Sequence, residues 1–161
     1  YRSIVASDIS QFSESLLSTK FRTFNLKIIS IKEITSKNKF DIVSAFEVLE
    51  HIDNCEEILF DLIEMTDRLL IFSVPNTGFI MHRLRLLLGR FPLQWRSSPG
   101  EHVRFWTTRD MYWWLKNAIG LEKKSYKIYH YAGLPIIEKI PFLQPLFCKG
   151  LLVCIYKKVL N

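Results

Sequence analysis

Apolar and polar positions follow two different periods along the first half of the chain. Short runs rich in contiguous apolar residues, the pattern of buried strands, lie at Arg2–Ser7, Leu26–Ile31, Phe40–Phe46 and Arg68–Val74. Helical spacing separates some of them. Ser10 is placed to cap a helix to about Thr19, with Phe12, Leu16 and Leu17 as its stripe. Asn54 is placed to cap another to about Met65, with Ile58, Leu59, Leu62 and Ile63 on one face. Thr35–Lys39 and Pro75-Asn76 read as turns. Strands alternating with helices, and apolar almost throughout, predict an α/β sheet of parallel strands covered on both faces.

The second half reads differently. Thr77–Arg90 has helical spacing and runs into a Pro-, Gly- and Ser-containing loop from Phe91 to Gly100. Thr107 or Thr108 is placed to cap a helix to about Ile119, which Gly120 stops. Leu121–His130 and Gly150–Lys157 read as strands around a stretch punctuated by Pro135, Pro141 and Pro145, and so short a separation suits an antiparallel hairpin. Within 77–91, Ile80, Leu84, Leu87, Leu88 and Phe91 share one helical stripe. His82, Arg83, Arg85 and Arg90 fall on the other side, together with Phe79 and Leu86. The segment is expected to pack on its stripe with a solvated basic face. The sharper alternative is a lid that grips an anionic or lipid-linked acceptor, or touches a membrane surface. Phe91, Trp95, Phe105, Trp106, Tyr112, Trp113 and Trp114 favour a large apolar acceptor.

Composition narrows the class without choosing a function. The 161 residues suit one domain, and 48% apolar content argues against disorder. The net charge of +6 is spread along the chain rather than blocked, which falls short of a nucleic-acid signature. Apolar runs such as Leu151–Tyr156 are too short to span a bilayer. Three cysteines, Cys55, Cys148 and Cys154, with no C-x-x-C, make no disulfide framework, so a reducing, cytoplasmic setting is expected. His51, His82, His102 and His130 are never at i,i+4 and never beside a cysteine, so no metal site is expected.

In open parallel sheets ligands sit at the carboxyl ends of the strands. The polar residues there are Asp8, then Phe46-Glu47 leading into Leu49-Glu50-His51, then Ser73-Val74-Pro75-Asn76. An acidic residue at the first position can accept hydrogen bonds from ribose hydroxyls. It can equally cap a helix or stand in a solvated turn, and spacing alone leaves these open.

A family resemblance adds to this reading. The run Phe40-Asp41-Ile42-Val43-Ser44-Ala45-Phe46-Glu47-Val48-Leu49-Glu50-His51-Ile52 resembles the fourth-strand motif of class I S-adenosylmethionine-dependent methyltransferases, FDxVxxxxVLEHI. Ser7-Asp8-Ile9-Ser10 is similar to the end of their second strand, and Ile71-Phe72-Ser73-Val74-Pro75-Asn76 to their fifth. Glu101-His102-Val103-Arg104-Phe105-Trp106-Thr107 is similar to the segment before a late helix. MetW-like and methyltransferase-domain-11 enzymes are the members it resembles. The resemblance implies a Rossmann-like class I methyltransferase sheet, mostly parallel with an antiparallel late strand. It implies a single domain over residues 1–161, with the cofactor half in 1–76 and the acceptor-side helices and last strands in 77–161.

The implied cofactor is S-adenosylmethionine. By resemblance, Asp8, next to Ile9, takes its ribose hydroxyls, Ser30 and Ile31 flank the adenine, and Phe46 and Glu47 lie beside the methionine part and the transferring methyl. Leu49, Glu50 and His51 are expected to build the following turn. The chain departs from the family after its third strand, where an acidic residue is often found, and in lacking the glycine-rich loop: its first glycine is Gly78. Because Tyr1 opens what looks like the second strand, the first strand, the loop and the next helix are expected upstream. This chain by itself is expected to bind cofactor weakly or not at all.

Methyl transfer from a sulfonium is an in-line displacement, and a hydroxyl or amine acceptor also needs a general base. His102 is the candidate base, because an unperturbed imidazole titrates near pH ~6.5. Asn76, Glu101 and Arg104 are the substrate-side candidates. The expected acceptor is a metabolite or a lipid-linked molecule, with peripheral membrane contact through 77–91. A nucleic acid is not expected, since the Asn/Asp-Pro-Pro-Tyr type motif of base methylation is absent. The alternative is a non-catalytic methyltransferase-like protein acting beside a partner enzyme, as MetW-like members can. The sequence carries no signal for an oligomeric state.

Overall fold

The computed structural model describes residues 4–6, 26–28, 39–92, 100–133 and 140–157. The chain divides into two compact units, residues 1–38 and 39–161. In the first, β1 (Ile4–Ala6) pairs in parallel with β2 (Leu26–Ile28), Ile4 opposite Leu26. The helix expected from Ser10 to Thr19 lies outside the described residues.

The second unit runs β3 (Phe40–Phe46), α1 (Cys55–Met65), β4 (Thr66–Pro75), α2 (Ile80–Leu87), α3 (Thr108–Asn117), β5 (Tyr126–Tyr131), α4 (Gln144–Phe147) and β6 (Gly150–Tyr156). Its four strands stand in the order β3-β4-β6-β5. β3 and β4 are parallel, and β6 is antiparallel to both neighbours, β4 and β5. The sheet is thus the Rossmann-like arrangement expected, with its antiparallel part contributed by the last strand. β4 and β6 are the inner strands, and they supply Leu70, Phe72, Val74, Leu151, Val153 and Ile155 to the core. Met111, Trp114 and Leu115 of α3 and Leu59 of α1 close over them. Each side chain buried in this way contributes about 1.5–3 kcal/mol.

Element ends follow local hydrogen bonding more closely than apolar content. β4 starts at Thr66 because α1 runs straight into it, and the Thr66 hydroxyl donates back to the Leu62 carbonyl at 2.7 Å. Lys123–Ser125 forms a turn of 3-10 helix, held by Ser125 Oγ donating to Glu122 O, so β5 begins only at Tyr126. Thr107 caps α3 in a reciprocal box with Asp110. Gly120, at φ 77°, lets the chain leave that helix.

The expectation that the segment after β4 packs on its leucine stripe is overturned. Leu87 is 81% exposed and Leu88 76%, and Leu84 and Phe91 are exposed as well. The buried residue of α2 is His82. The helix is fixed by its first turn: Arg83 Nε donates to the Gly78 carbonyl at 2.7 Å, and the Phe79 ring meets His82 edge-on. None of the helix's apolar side chains belongs to the core cluster of the described residues. No helix among the described residues is long and apolar enough to cross a membrane.

Candidate functional site

β3 delivers the chain to its carboxyl end at Phe46, and Glu47 follows with φ at 51°. A glutamate in the left-handed region costs on the order of 1–2 kcal/mol unless its surroundings hold it there. Here they do. The Glu47 N–H donates to both the carbonyl and the hydroxyl of Ser73 on β4, each at 3.1 Å. The Ser73 hydroxyl in turn donates to Glu47 Oε1 at 2.8 Å, and the Tyr131 hydroxyl donates to the same oxygen at 2.7 Å. Tyr131 ends β5, and its ring lies across Gly150, the first residue of β6 and its register partner. A Cβ at Gly150 would overlap that ring. Among the described residues, Glu47 and Ala132 are the non-glycine residues with positive φ, and both adjoin this hydrogen bond. Burial pushes the Tyr131 hydroxyl up to about 12, and its bond to Glu47 adds to the shift, so it remains a donor at neutral pH.

A second group lies beside Glu47. The turn Leu49–His51 exposes its backbone to the segment 101–104, which latches onto it. Val103 and Arg104 both donate their N–H to the Glu50 carbonyl, at 2.8 and 3.1 Å, and His51 Nδ1 donates to the Glu101 carbonyl at 2.7 Å. The Arg104 guanidinium pairs with Glu56 of α1 at 3.1 Å and also reaches the Asp53 carbonyl. Trp114 Nε1 of α3 donates to the other oxygen of Glu56, so one carboxylate ties α1, α3 and this loop together. The latch brings the rings of His51 and His102 edge to face, 4.7 Å between centroids.

Glu50 is the anomaly of the site. It is 1% exposed, and neither carboxylate oxygen has a hydrogen-bond partner. Burial raises its carboxyl to about 7, the nearby charge of Glu47 adding to the effect. Burial lowers the His102 imidazole below its ordinary value, and the neighbouring His51 pushes the same way, so His102 is neutral with a free lone pair at pH 7. The arrangement can accept a proton, hold a cation, or orient a hydroxyl.

Of the residues singled out from the sequence, Phe46, Glu47, Glu101, His102 and Arg104 come together around this turn. Phe46 is 56% exposed at the strand end, and Glu47 is exposed beside it. Asp8, Ile9, Ser30 and Ile31 lie outside the described residues. Asn76 has a different job from the one expected. It is fully buried, its amide donates to the carbonyls of Pro145 and Cys148 at 2.9 and 2.8 Å, and its Oδ1 accepts the Gly78 N–H at 2.9 Å. Its polar atoms are spent on closing the chain, which leaves it facing no substrate. Arg104 is likewise engaged by Glu56. Sequence reasoning missed Ser73 as a partner of Glu47, although the residue stands in the quoted Ile71–Asn76 run. It also missed Tyr131, whose part depends on the register of β5 against β6.

The family described as methyltransferase domain matches residues 2–125 of the chain. No curated protein sequence matches it significantly. Several solved structures share its fold. One is magnesium protoporphyrin IX methyltransferase from Synechocystis PCC 6803 with bound SAH, at 15% identity and TM-score 0.57, covering 95% of this chain and 64% of that one. Another is a SAM dependent methyltransferase from Archaeoglobus fulgidus, at 13% identity and TM-score 0.57, covering 94% and 75%. A third is the small RNA methyltransferase HEN1, at 22% identity and TM-score 0.61, covering 96% of this chain and 20% of that one. The chain therefore spans less than two thirds of the first and a fifth of the third.

Proposed function

The chain belongs to the methyltransferase domain family, whose cofactor is S-adenosylmethionine, and from that premise we propose that the protein transfers a methyl group from this cofactor to a small or lipid-linked acceptor. The residues at the carboxyl end of β3 fit such a cofactor. A half-exposed aromatic ring, Phe46, next to a carboxylate, Glu47, is a suitable donor set for a sulfonium cation. In this reading Phe46 and Glu47 hold the methionine part, Asp8 with Ile9 takes the ribose, and Ser30 and Ile31 flank the adenine. When bound, the cofactor supplies a methyl on positively charged sulfur, open to in-line attack.

The remaining work falls to the chain's own side chains. Tyr131 and Ser73 fix Glu47, so its backbone and carboxylate keep one orientation. His102, neutral and half-buried, takes the proton of a hydroxyl or amine acceptor. Glu101, exposed on the same loop, is assigned to the acceptor in this reading. The observation that carries the reading is the Glu47 turn itself, a left-handed residue fixed at the carboxyl end of a parallel strand.

The lipid-linked version of the acceptor, and peripheral contact with a membrane, draw support from α2. Leu84, Leu86, Leu87, Leu88 and Phe91 are exposed there among Arg83, Arg85 and Arg90. Exposed apolar side chains interleaved with arginines suit an anionic interface. The test is to incubate the full-length protein with methyl-tritiated S-adenosylmethionine and cell extracts separated into lipid, metabolite and RNA fractions. Label is expected in the lipid or metabolite fraction, and His102→Ala is expected to reduce it. Label in RNA would reassign the acceptor. Its absence from all fractions would leave the non-catalytic partner role.

A further inference from the structure

We propose that Glu50, His51 and His102 form a binding site for a divalent transition-metal ion. One ligand atom from each of the three lies within 4.8 Å of the other two. The carboxylate supplies the reason to look for a cation. Glu50 is buried to 1% exposure and points both oxygens at no hydrogen-bond donor. Buried carboxylates are ordinarily paired or bound to a metal. His51 Nε2 stands 3.8 Å from Glu50 Oε1, and the Glu47 carboxylate adds a second negative charge beside it.

The hydrogen bonds around the two histidines set them as ligands. His51 Nδ1 is 2.7 Å from the Glu101 carbonyl, and a carbonyl can only accept, so Nδ1 carries the hydrogen. That leaves the Nε2 lone pair directed to the Glu50 side. Holding one ring nitrogen by a carbonyl while the other faces the metal is the usual support of a metal-bound imidazole. His102 is kept beside it by its neighbours, since Val103 and Arg104 are bonded to the Glu50 carbonyl. The ligands therefore sit on two segments that are tied to each other through backbone bonds.

Two imidazoles and one carboxylate suit zinc, iron, cobalt or manganese better than calcium, which prefers oxygen throughout. With metal–ligand bonds of about 2.1 Å, ligand atoms around a tetrahedral ion stand about 3.4 Å apart, so the Glu50–His51 pair, at 3.8 Å, must close by about half an ångström and the pairs with His102, within 4.8 Å, by up to about 1.4 Å. Three protein ligands leave a coordination position for a water or an acceptor oxygen. His51 and His102 are partly open to solvent, which gives the ion its way in. The inference goes beyond the methyl-transfer reading and competes with one part of it. With an ion bound, His102 is a ligand rather than a free base, and the ion's charge lowers the pKa of a bound hydroxyl in its place.

The test is a titration of the full-length protein with Co2+, without S-adenosylmethionine or acceptor, followed by the visible d–d absorption and by the thermal midpoint. We expect a band that saturates at one ion per chain and a rise in the midpoint. Glu50→Gln and His102→Gln should each abolish both. A wild-type protein that gives no saturable band, or variants that bind as the wild type does, would overturn the site. Circular dichroism reports whether each variant folds, and should Glu50→Gln unfold, His102→Gln, in a loop, still decides the matter. Because neither cofactor nor acceptor is present, failure here leaves methyl transfer standing, and failure of methyl transfer leaves the ion site standing.

Discussion

The Tyr131 hydroxyl donates to Glu47 Oε1 at 2.7 Å, although β5, which Tyr131 ends, and β3, which Glu47 follows, are the two outer strands of the four. The contact depends on Gly150, which lies opposite both Tyr131 on β5 and Pro75 on β4. With no side chain there, the tyrosine ring can lie across β6 toward the end of β4, where Ser73 holds the other side of Glu47.

Removing the hydroxyl should show this coupling. Tyr131→Phe is expected to cost about 1 kcal/mol, below the ~1.5–3 kcal/mol of a bond to a charged group because the site is partly solvated. Its effect should shrink in a Glu47→Gln background, which a double-mutant cycle by urea unfolding measures. Gly150→Ala should displace the ring and reproduce the Tyr131→Phe phenotype in a chain that still folds.

Asn76 gives the largest stability effect expected. Asn76→Ala would strand two carbonyls and one N–H in a fully buried place. About 3 kcal/mol of lost stability is expected, since each unsatisfied buried group costs about 1–3 kcal/mol and water can restore part of it. Chemical denaturation of the variant checks it, with an unchanged m-value.

His82 predicts a pH dependence. Burial lowers its pKa below the ordinary value, and Arg85 and Lys149 nearby add to the shift, while its Nδ1 has no partner. The unfolded chain therefore binds this proton more readily than the folded one. Stability contributed by the neutral form is fully present above the unfolded pKa near ~6.5 and falls as pH drops below it. His82→Gln should flatten that fall relative to wild type, as thermal unfolding between acid and neutral pH would report.

The leucines of α2 should be nearly silent in stability and decisive at an interface. Leu87 and Leu88 are largely exposed, so Leu87→Ser and Leu88→Ser are expected within about 0.5 kcal/mol of wild type. Co-sedimentation with anionic vesicles at low salt should be lost in the pair, and wild-type binding by the variants would remove the membrane contact.

The sequence carried the strands well where burial is continuous on both faces, as in β4 and β6, because an apolar run there has no other explanation. It carried the α3 cap, since Thr107 and Asp110 interact within one turn. It failed on α2, where periodicity reports which residues share a face but not whether anything covers that face. It also misread Asn76, which closes contacts with Pro145 and Cys148 far along the chain. The site was half legible. Glu47, Glu50 and His51 sit in one motif, whereas Tyr131 and the pairing of His51 with His102 arise from strand register and from a latch of backbone bonds, neither of which leaves a local pattern.

Calorimetric titration of the full-length protein with S-adenosylmethionine tests the central reading most directly. Saturable binding at one molecule per chain is expected, weakened about tenfold or more, some 1.4 kcal/mol, by Glu47→Ala and by Asp8→Ala in proteins that remain folded. No binding, or wild-type affinity in both variants, would contradict it.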